Sequence, residues 1–411
     1  MELGAILMYV TTYFGLFTAI FFFMTLLENR KSLKSPKPTR LPKVTIAVPA
    51  YNEENTIAGT VKSLLAMKYP KNKLEIYVIN DGSSDNTLKE ANKFKKYGVK
   101  VIDKPNSGKA DSLNQVIKKC KGEFFGALDA DSFAHPEAIK RLVGYFSDPK
   151  IMAVTPSMMV FEPKGFLQKI QYIEYLMGVY LRKIVAFLGS IHVTPGPLSL
   201  YRVEFFEKYG GYALNNRTED IEMALRIQKK GYQIENAIDA YVFTVSPRKF
   251  VPLTKQRERW YSGFLQNVLA YKSLFSRKYG NLGLFILPAS FLSIILVIFA
   301  AGYALFSMGR NTWRTYTHLR AVNFEFWRMF DFRLDFFYWD VSMIMFLSMI
   351  TLVIGIFIIC LAKYLANRKE SIAWSYILFM IFYWILFAYW WVISAWACIR
   401  KKKIQWGIQY E

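Results

Sequence analysis

Four long apolar runs limit what this chain can fold into. Residues 6–27, 282–308, 341–361 and 372–399 are almost wholly apolar or aromatic. At about 1.5 Å per helical residue, each is long enough to cross a hydrocarbon core about 30 Å thick. A backbone inside lipid must satisfy its own hydrogen bonds, so each run is expected to be a helix. The first run carries no charge until Glu28 and has no small-residue cleavage site, so it reads as an anchor and not as a removable signal. That 53% of the 411 residues are hydrophobic follows from these runs.

The formal net charge is +22, and its placement assigns sides. Arg30, Lys31, Lys34, Lys37 and Arg40 follow the first run at once, which puts the following domain in the cytoplasm of a multi-pass cell-membrane protein. The lipid bilayer is thus an expected partner, and nucleic acid is not, because no basic run has nucleic-acid motif spacing. Three C-terminal spans would put the C-terminus outside, whereas Arg400, Lys401, Lys402 and Lys403 in the basic tail 400–411 ask for the inside. Residues 372–399 are long enough to bend into an interfacial piece plus a span. Between the first two C-terminal runs, 309–340 reads as a loop whose aromatics, Trp313, Phe324, Phe326, Trp327, Phe336, Phe337, Tyr338 and Trp339, suit the headgroup region. Cys120, Cys360 and Cys398 lack metal-ligand spacing and are expected to be free thiols.

From residue 43 to 156 strand and helix patterns alternate. Strands are expected at 44–48, 74–80 and 99–102 and in the run that ends at Asp129, with helices at 56–67, 86–95 and 109–119. Repeated βα units imply a mainly parallel sheet covered by helices. No GxGxxG follows the first strand, which argues against a dinucleotide-binding fold. Residues 165–183 carry Phe166, Ile170, Ile173, Met177 and Leu181 at helical spacing, with Lys169 and Glu174 facing elsewhere; this helix either packs in a core or lies on the membrane surface.

The polar motifs fall where open α/β sheets hold ligands, at the carboxyl ends of strands. Phe124 to Leu128 is an apolar run cut off by Asp129 and Asp131. Two carboxylates there can hold a hard divalent cation, Mn²⁺ or Mg²⁺, with a diphosphate completing its oxygen ligands, or can merely cap the next helix. Tyr51, Asn52 and Glu53 at the first strand tip suit a base and its ribose, or else form a turn. Asp81 at the second tip can accept a hydrogen bond from a base. Lys109 stands at a helix start, where backbone N–H groups and its ammonium both favour an anion. Gln256, Arg259 and Trp260 share one helical face. Arg259 can pair with a phosphate and Trp260 can lie against a sugar ring; the same residues would also make a membrane-anchoring helix.

Together these motifs resemble family 2 glycosyltransferases of the GT-A fold, over roughly residues 43–278. Gln256-Arg257-Glu258-Arg259-Trp260 matches the Gln-x-x-Arg-Trp signature of the branch that includes cellulose, chitin, hyaluronan and poly-N-acetylglucosamine synthases. Residues 194–202, with Gly196 and Pro197, look like the acceptor-side segment of hyaluronan and chitin synthases. Length and span count most resemble the poly-N-acetylglucosamine synthases.

The resemblance implies an α/β GT-A domain, Rossmann-like and mainly parallel, at 43–280. An N-terminal span at 1–28 would precede it, and an α-helical transmembrane region at 282–399 would follow. It implies an inverting transfer from a UDP-sugar to a growing β-linked polysaccharide, with coupled export and room for an accessory subunit. Asp220, near the start of a helix opened by Thr218, is then the expected general base; a helix N-terminus would lower its pKa, and desolvation and negative charge from a bound sugar and diphosphate would raise it again. Tyr51, Glu53, Asp81, Lys109, Asp129 and Arg259 would hold the nucleotide sugar. Asp131 and Asp129 would hold the metal. Trp260, Gln256, Gly196, Pro197 and Glu219 would hold the acceptor. A non-processive enzyme acting on a lipid-linked acceptor carries a similar signature. A transporter or scaffold without catalysis is the third reading, opposed by the intact Asp129, Asp131 and Asp220. His135, His192 and His318 belong to none of these motifs.

Overall fold

The structure is a computed structural model that describes residues 3–321 and 343–400. In chain order the helices and strands are α1 (Leu3–Glu28), β1 (Val44–Ala50), α2 (Ile57–Leu65), β2 (Leu74–Asp81), α3 (Thr87–Asn92), β3 (Lys100–Lys104), α4 (Lys109–Ile117), β4 (Phe124–Ala127), β5 (Ser132–Ala134) and α5 (Ala138–Val143). Then come β6 (Ile151–Val160), α6 (Phe166–Phe187), β7 (Leu200–Arg202), α7 (Val203–Tyr209), α8 (Glu219–Lys229), β8 (Gln233–Thr244) and α9 (Phe250–Ala270). A π turn at Leu282–Ile286 leads into α10 (Leu287–Ala321), and α11 (Met343–Leu365) and α12 (Ala373–Ile399) close the described chain.

Eight strands form one sheet in the order β3-β2-β1-β4-β7-β6-β8-β5. The first four pair in parallel, as do β6 and β8, while β7 runs antiparallel to β4 and β6, and β5 antiparallel to β8. The period-2 alternation of side chains sorts residues onto two faces. Val44, Ile46 and Val48 of β1 pack with Ile57, Val61 and Leu64 of α2. Ala47 of β1 and Ile79 of β2 pack on the other face with Leu113 of α4, Phe206 of α7 and Ile227 of α8.

Strand order turns at β1, with β2 on one side and β4 on the other, so the β1/β4 boundary is a topological switch point. The two strands pair only from Val44↔Phe124 to Ala47↔Ala127. Pro49, which has no N–H to donate, lies past that pairing, so β4 loses no ladder bond to it. The strands therefore part at their carboxyl ends, leaving Asp129 and Asp131 on one lip and Tyr51 and Glu53 on the other.

Four described helices are long and apolar enough to cross a membrane, at Gly4–Glu28, Leu282–Ala321, Met345–Leu365 and Ala373–Ile399. The region expected to be loop from 309 begins instead as helix, since α10 runs unbroken to Ala321; a helix leaving the bilayer can continue with polar residues such as Arg310 and Asn311. Residues 322–342, with Phe324, Phe326, Trp327, Phe336, Phe337, Tyr338 and Trp339, lie outside the described residues, as does the tail beyond Arg400. Residues 373–399 form one continuous helix.

The α6 helix packs as a core helix, between the sheet and the apolar helices. One side meets β6 and β8 and the other meets α1, α11 and α12. Ile173, Leu176 and Tyr180 share a single core with Val160 of the sheet, Leu26 of α1 and Ile359 and Ala362 of α11. Its polar residues are used as well. Gln168 and Gln171 donate to the carbonyls of Ser246 and Pro247, at 2.8 and 2.9 Å, and so hold the turn into α9. Glu174, expected off the packed face, is instead paired with Arg257 of α9 at 2.7 Å.

Candidate active site

Three strand-end loops are laced together at the switch point. Asn52, in left-handed backbone conformation at φ 55°, donates its N–H to Ser83 Oγ, and its Oδ1 accepts from the Ser84 N–H. The N–H groups of Glu53 and Glu54 donate to Thr87 Oγ1 and Asp85 Oδ2. Asp81 is fully buried, and its carboxylate accepts from the Ser107 and Gly108 N–H groups at 3.0 and 2.9 Å and from the Lys104 ammonium. The residue expected to read a base thus also ties the second loop to the third. Gly82, at φ 72°, lets the loops close, because a Cβ there would stand 2.6 Å from the Asn106 nitrogen.

Lys109 opens α4 and sits among acids. Its ammonium is 2.7 Å from Asp129 Oδ1 and 3.0 Å from Glu219 Oε1. Burial opposes the charge, but Asp129 and Glu219 outweigh it and hold the Lys109 pKa well above the usual lysine range. Burial likewise opposes ionisation of Glu219, yet Lys109 and Arg259 pull its pKa below the ordinary value.

Gly196 packs on this pair, where a Cβ would lie 2.7 Å from Lys109 Nζ. Its segment therefore borders the acid cluster expected for the donor. Pro197 is buried, and Leu198 holds a left-handed φ of 61°. Thr194 fixes the segment to the start of α8 by donating from Oγ1 to the Asp220 carbonyl at 2.8 Å.

Asp220 departs from the helix-dipole expectation. Burial, and then the Glu219 charge, push its carboxyl up to about 6, against the pull of Lys109 and Arg259. Thr218 does take the N-cap position, but its side chain makes no cap bond and instead accepts from Asn267 of α9 at 2.9 Å. Gly263 allows that approach, since a Cβ there would overlap the Thr218 side chain. The close packing of α9 on this turn brings the Arg259 charge to bear on both α8 acids.

Across the crevice, burial and then Asp129 raise Asp131 to about 6, and burial and then Asp131 raise Glu53 to about 7. These shifts mark a like-charge group that a cation would relieve. Among the described residues no group of three or more His, Cys, Asp or Glu is disposed to hold a metal. Asp129 and Asp131 fit a Mg²⁺-like ion that takes only one or two carboxylates and completes its shell from water and phosphate.

Gln256, Arg259 and Trp260 lie on α9, each half-buried, and the Arg259 guanidinium donates to the Arg217 carbonyl at 3.4 Å. Tyr51 is half-buried at the β1 tip. Three nearby residues were given no role by the sequence. Arg182 of α6, half-buried, lies close enough to feel the Asp220 charge, and desolvation lowers its pKa to about 10. Glu174 and Arg257 form the buried pair already noted. Only Arg257 could have been suspected, from its i, i+3 spacing to Trp260.

The chain is similar to several known proteins. Residues 45–210 match the family Glycosyl transferase family 2. A poly-beta-1,6-N-acetyl-D-glucosamine synthase of Staphylococcus aureus (strain MSSA476) is 34% identical over 258 residues, covering 60% of each chain. The same enzyme of Staphylococcus epidermidis is 32% identical over 240 residues, covering 57% of this chain and 58% of that one. The chain thus spans about 60% of the length of the curated relatives it matches. The solved mannosyltransferase PcManGT from Pyrobaculum calidifontis, in complex with GDP-Man and Mn2+, superposes with a TM-score of 0.64 at 19% identity, over 98% of this chain and 100% of that one.

Proposed function

We propose that this chain, whose residues 45–210 are a family 2 glycosyltransferase domain of GT-A fold, is a membrane-embedded inverting enzyme that transfers sugar from a UDP-sugar to a growing β-linked polysaccharide containing N-acetylglucosamine. The observation that carries the proposal is the meeting, at the β1/β4 switch point, of a buried cation, Lys109, with Asp129 on one side and the α8 acids on the other.

Tyr51 and Glu53, half-buried at the β1 tip, bind the uridine, and the fully buried Asp81 holds the second and third loops that receive it. Asp129 and Asp131 hold Mn²⁺ or Mg²⁺, which when bound neutralises diphosphate charge. Lys109 and Arg259 supply fixed positive charge close to where the leaving diphosphate gains negative charge. An acceptor hydroxyl oxygen bonds to the anomeric carbon as the bond to the diphosphate breaks, and UDP leaves with that electron pair. The hydroxyl proton passes to the Asp220 carboxylate. A pKa of about 6 suits that task, because the group is ionised at neutral pH and still basic. Trp260 carries the acceptor sugar, with Gln256, Gly196, Pro197 and Glu219 around it. The basic residues 30–40 support a cytoplasmic catalytic domain in the cell membrane, with product export through the membrane region.

The test is UDP release by the purified full chain with a panel of UDP-sugars, with and without Mn²⁺ or Mg²⁺, followed by product sizing. UDP-N-acetylglucosamine should give release and a long product. A single added sugar on a lipid would replace the polymer reading, and no release from any UDP-sugar would end the transferase reading.

A further inference from the structure

Arg257 is an uneconomical residue unless its aromatic faces are used. Its side chain is fully buried, and one hydrogen bond, from Nη2 to Glu174 Oε2 at 2.7 Å, is all it makes among the described residues. Its Nε and Nη1 are buried without a hydrogen-bond partner among those residues. Burying a guanidinium for a single contact with a half-buried carboxylate is a poor way to stabilise a fold, and apolar residues of similar size commonly do better.

The flat faces of the guanidinium are better used. It lies 4.4 Å from the centre of the Trp260 ring and 5.6 Å from that of Trp390. A desolvated cation over an indole is a strong and directional contact. Trp260 stands on α9 and Trp390 on α12, so Arg257 joins the two helices through their rings. Glu174 brings in α6, which packs along α12. Trp390 is fixed in turn by donating from Nε1 to Thr254 Oγ1 at 3.2 Å, and the next residue, Trp391, stacks on Tyr261 at 4.4 Å with the rings 5° from parallel. Three helices therefore converge on the ring plane of Trp260, which is itself half-buried.

We propose that Glu174 and Arg257 are positioning residues that set the plane of Trp260 for the acceptor sugar and lock that plane to α12. The inference rests on Trp260 being the acceptor platform. Neither side chain need touch substrate. A ring free to rotate about its two side-chain torsions would meet a sugar in many orientations, and the fixed guanidinium removes that freedom before the sugar arrives.

The experiment uses the full-length protein with UDP-N-acetylglucosamine as donor and a short β-linked N-acetylglucosamine oligosaccharide as acceptor. Glu174→Gln and Arg257→Lys keep much of the shape but lose the pairing or the planar cation. Each should raise the acceptor KM about tenfold while donor KM and acceptor-free UDP release stay within about twofold of wild type. Because a lone buried charge can unfold the domain, the double variant Glu174→Leu with Arg257→Met is measured beside them. It should fold and release UDP normally, yet keep the acceptor defect. Trp260→Ala separates the two levels of the argument. If Trp260→Ala weakens donor and acceptor use alike, the platform reading fails and this one with it. If it is acceptor-selective while the Glu174 and Arg257 variants lose both activities in proportion, or the double variant restores acceptor use, the pair is only a structural bridge and the positioning role is overturned.

Discussion

Lys109 at the start of α4 and Glu219 at the start of α8 meet at 3.0 Å, and the same ammonium holds Asp129 at 2.7 Å. One buried cation therefore serves both the strand-end acids and the helix that carries Asp220. Lys109 lowers the Asp220 pKa, so its removal must raise it. Lys109→Met should move the acid limb of the pH–rate profile upward, beyond its loss of rate. An unmoved limb would show that Lys109 does not tune the base.

In the wild type, activity should fall as pH drops through about 6, because protonation of Asp220 removes the base. Asp220→Asn cannot accept the proton and should lose transfer by roughly 10²-fold or more while binding UDP-sugar almost normally. Transfer near the wild-type rate in that variant would place the base elsewhere, with Glu219 the next candidate.

The Asp129 and Asp131 pair predicts dependence on Mn²⁺ or Mg²⁺. Asp131→Asn should cut transfer by orders of magnitude, with no loss of thermal stability in metal-free buffer, because the replaced carboxyl is one that burial and Asp129 already push up to about 6. Full wild-type activity in excess chelator would remove the metal from the scheme.

Glu53 gives a stability prediction. Burial, then Asp131, raise its carboxyl from 4.5 to about 7, so the folded state favours the neutral form. Its contribution is present in full below the unfolded pKa of 4.5 and is lost as pH rises through about 7. Without divalent metal, the melting temperature should fall from about pH 5 to about pH 8, and Glu53→Gln should flatten that fall. Parallel curves for the two proteins would show that Glu53 is not strained by burial.

Sidedness can be read by labelling single cysteines in a background with Cys120, Cys360 and Cys398 replaced. A cysteine at Lys71 should react only after the membrane is permeabilised, and one at Arg314 should react from outside. The reverse pattern would invert the topology drawn from residues 30–40. A tag after Glu411 would decide which of the two demands on the C-terminus prevails.

Half of the sheet was legible because β1, β2 and β4 are apolar runs that stop at polar tips, β3 follows them at the same βα spacing, and the helices between them carry one apolar face. The remaining strands escaped because their signals are local mixtures. β7 has three residues, and β8 carries Glu235 and Asp239 within its apolar alternation. Single site residues were readable from strand ends and helix starts. Their pairings were not, because Glu174 with Arg257 and Lys109 with Glu219 join distant parts of the chain that only the packing of α6, α8 and α9 brings together. The direction of the Asp220 shift was hidden for the same reason, since burial is a property of neighbours.

The two-sided packing of α6 has a consequence for how such an enzyme could move. Domains joined by thin polar interfaces swing as rigid bodies, but here sheet, α6 and the apolar helices share one continuous core. Among the described residues the sheet has no thin polar boundary with those helices on which to swing, and relative movement would fall to small parts such as the 194–198 turn with Leu198 at φ 61°.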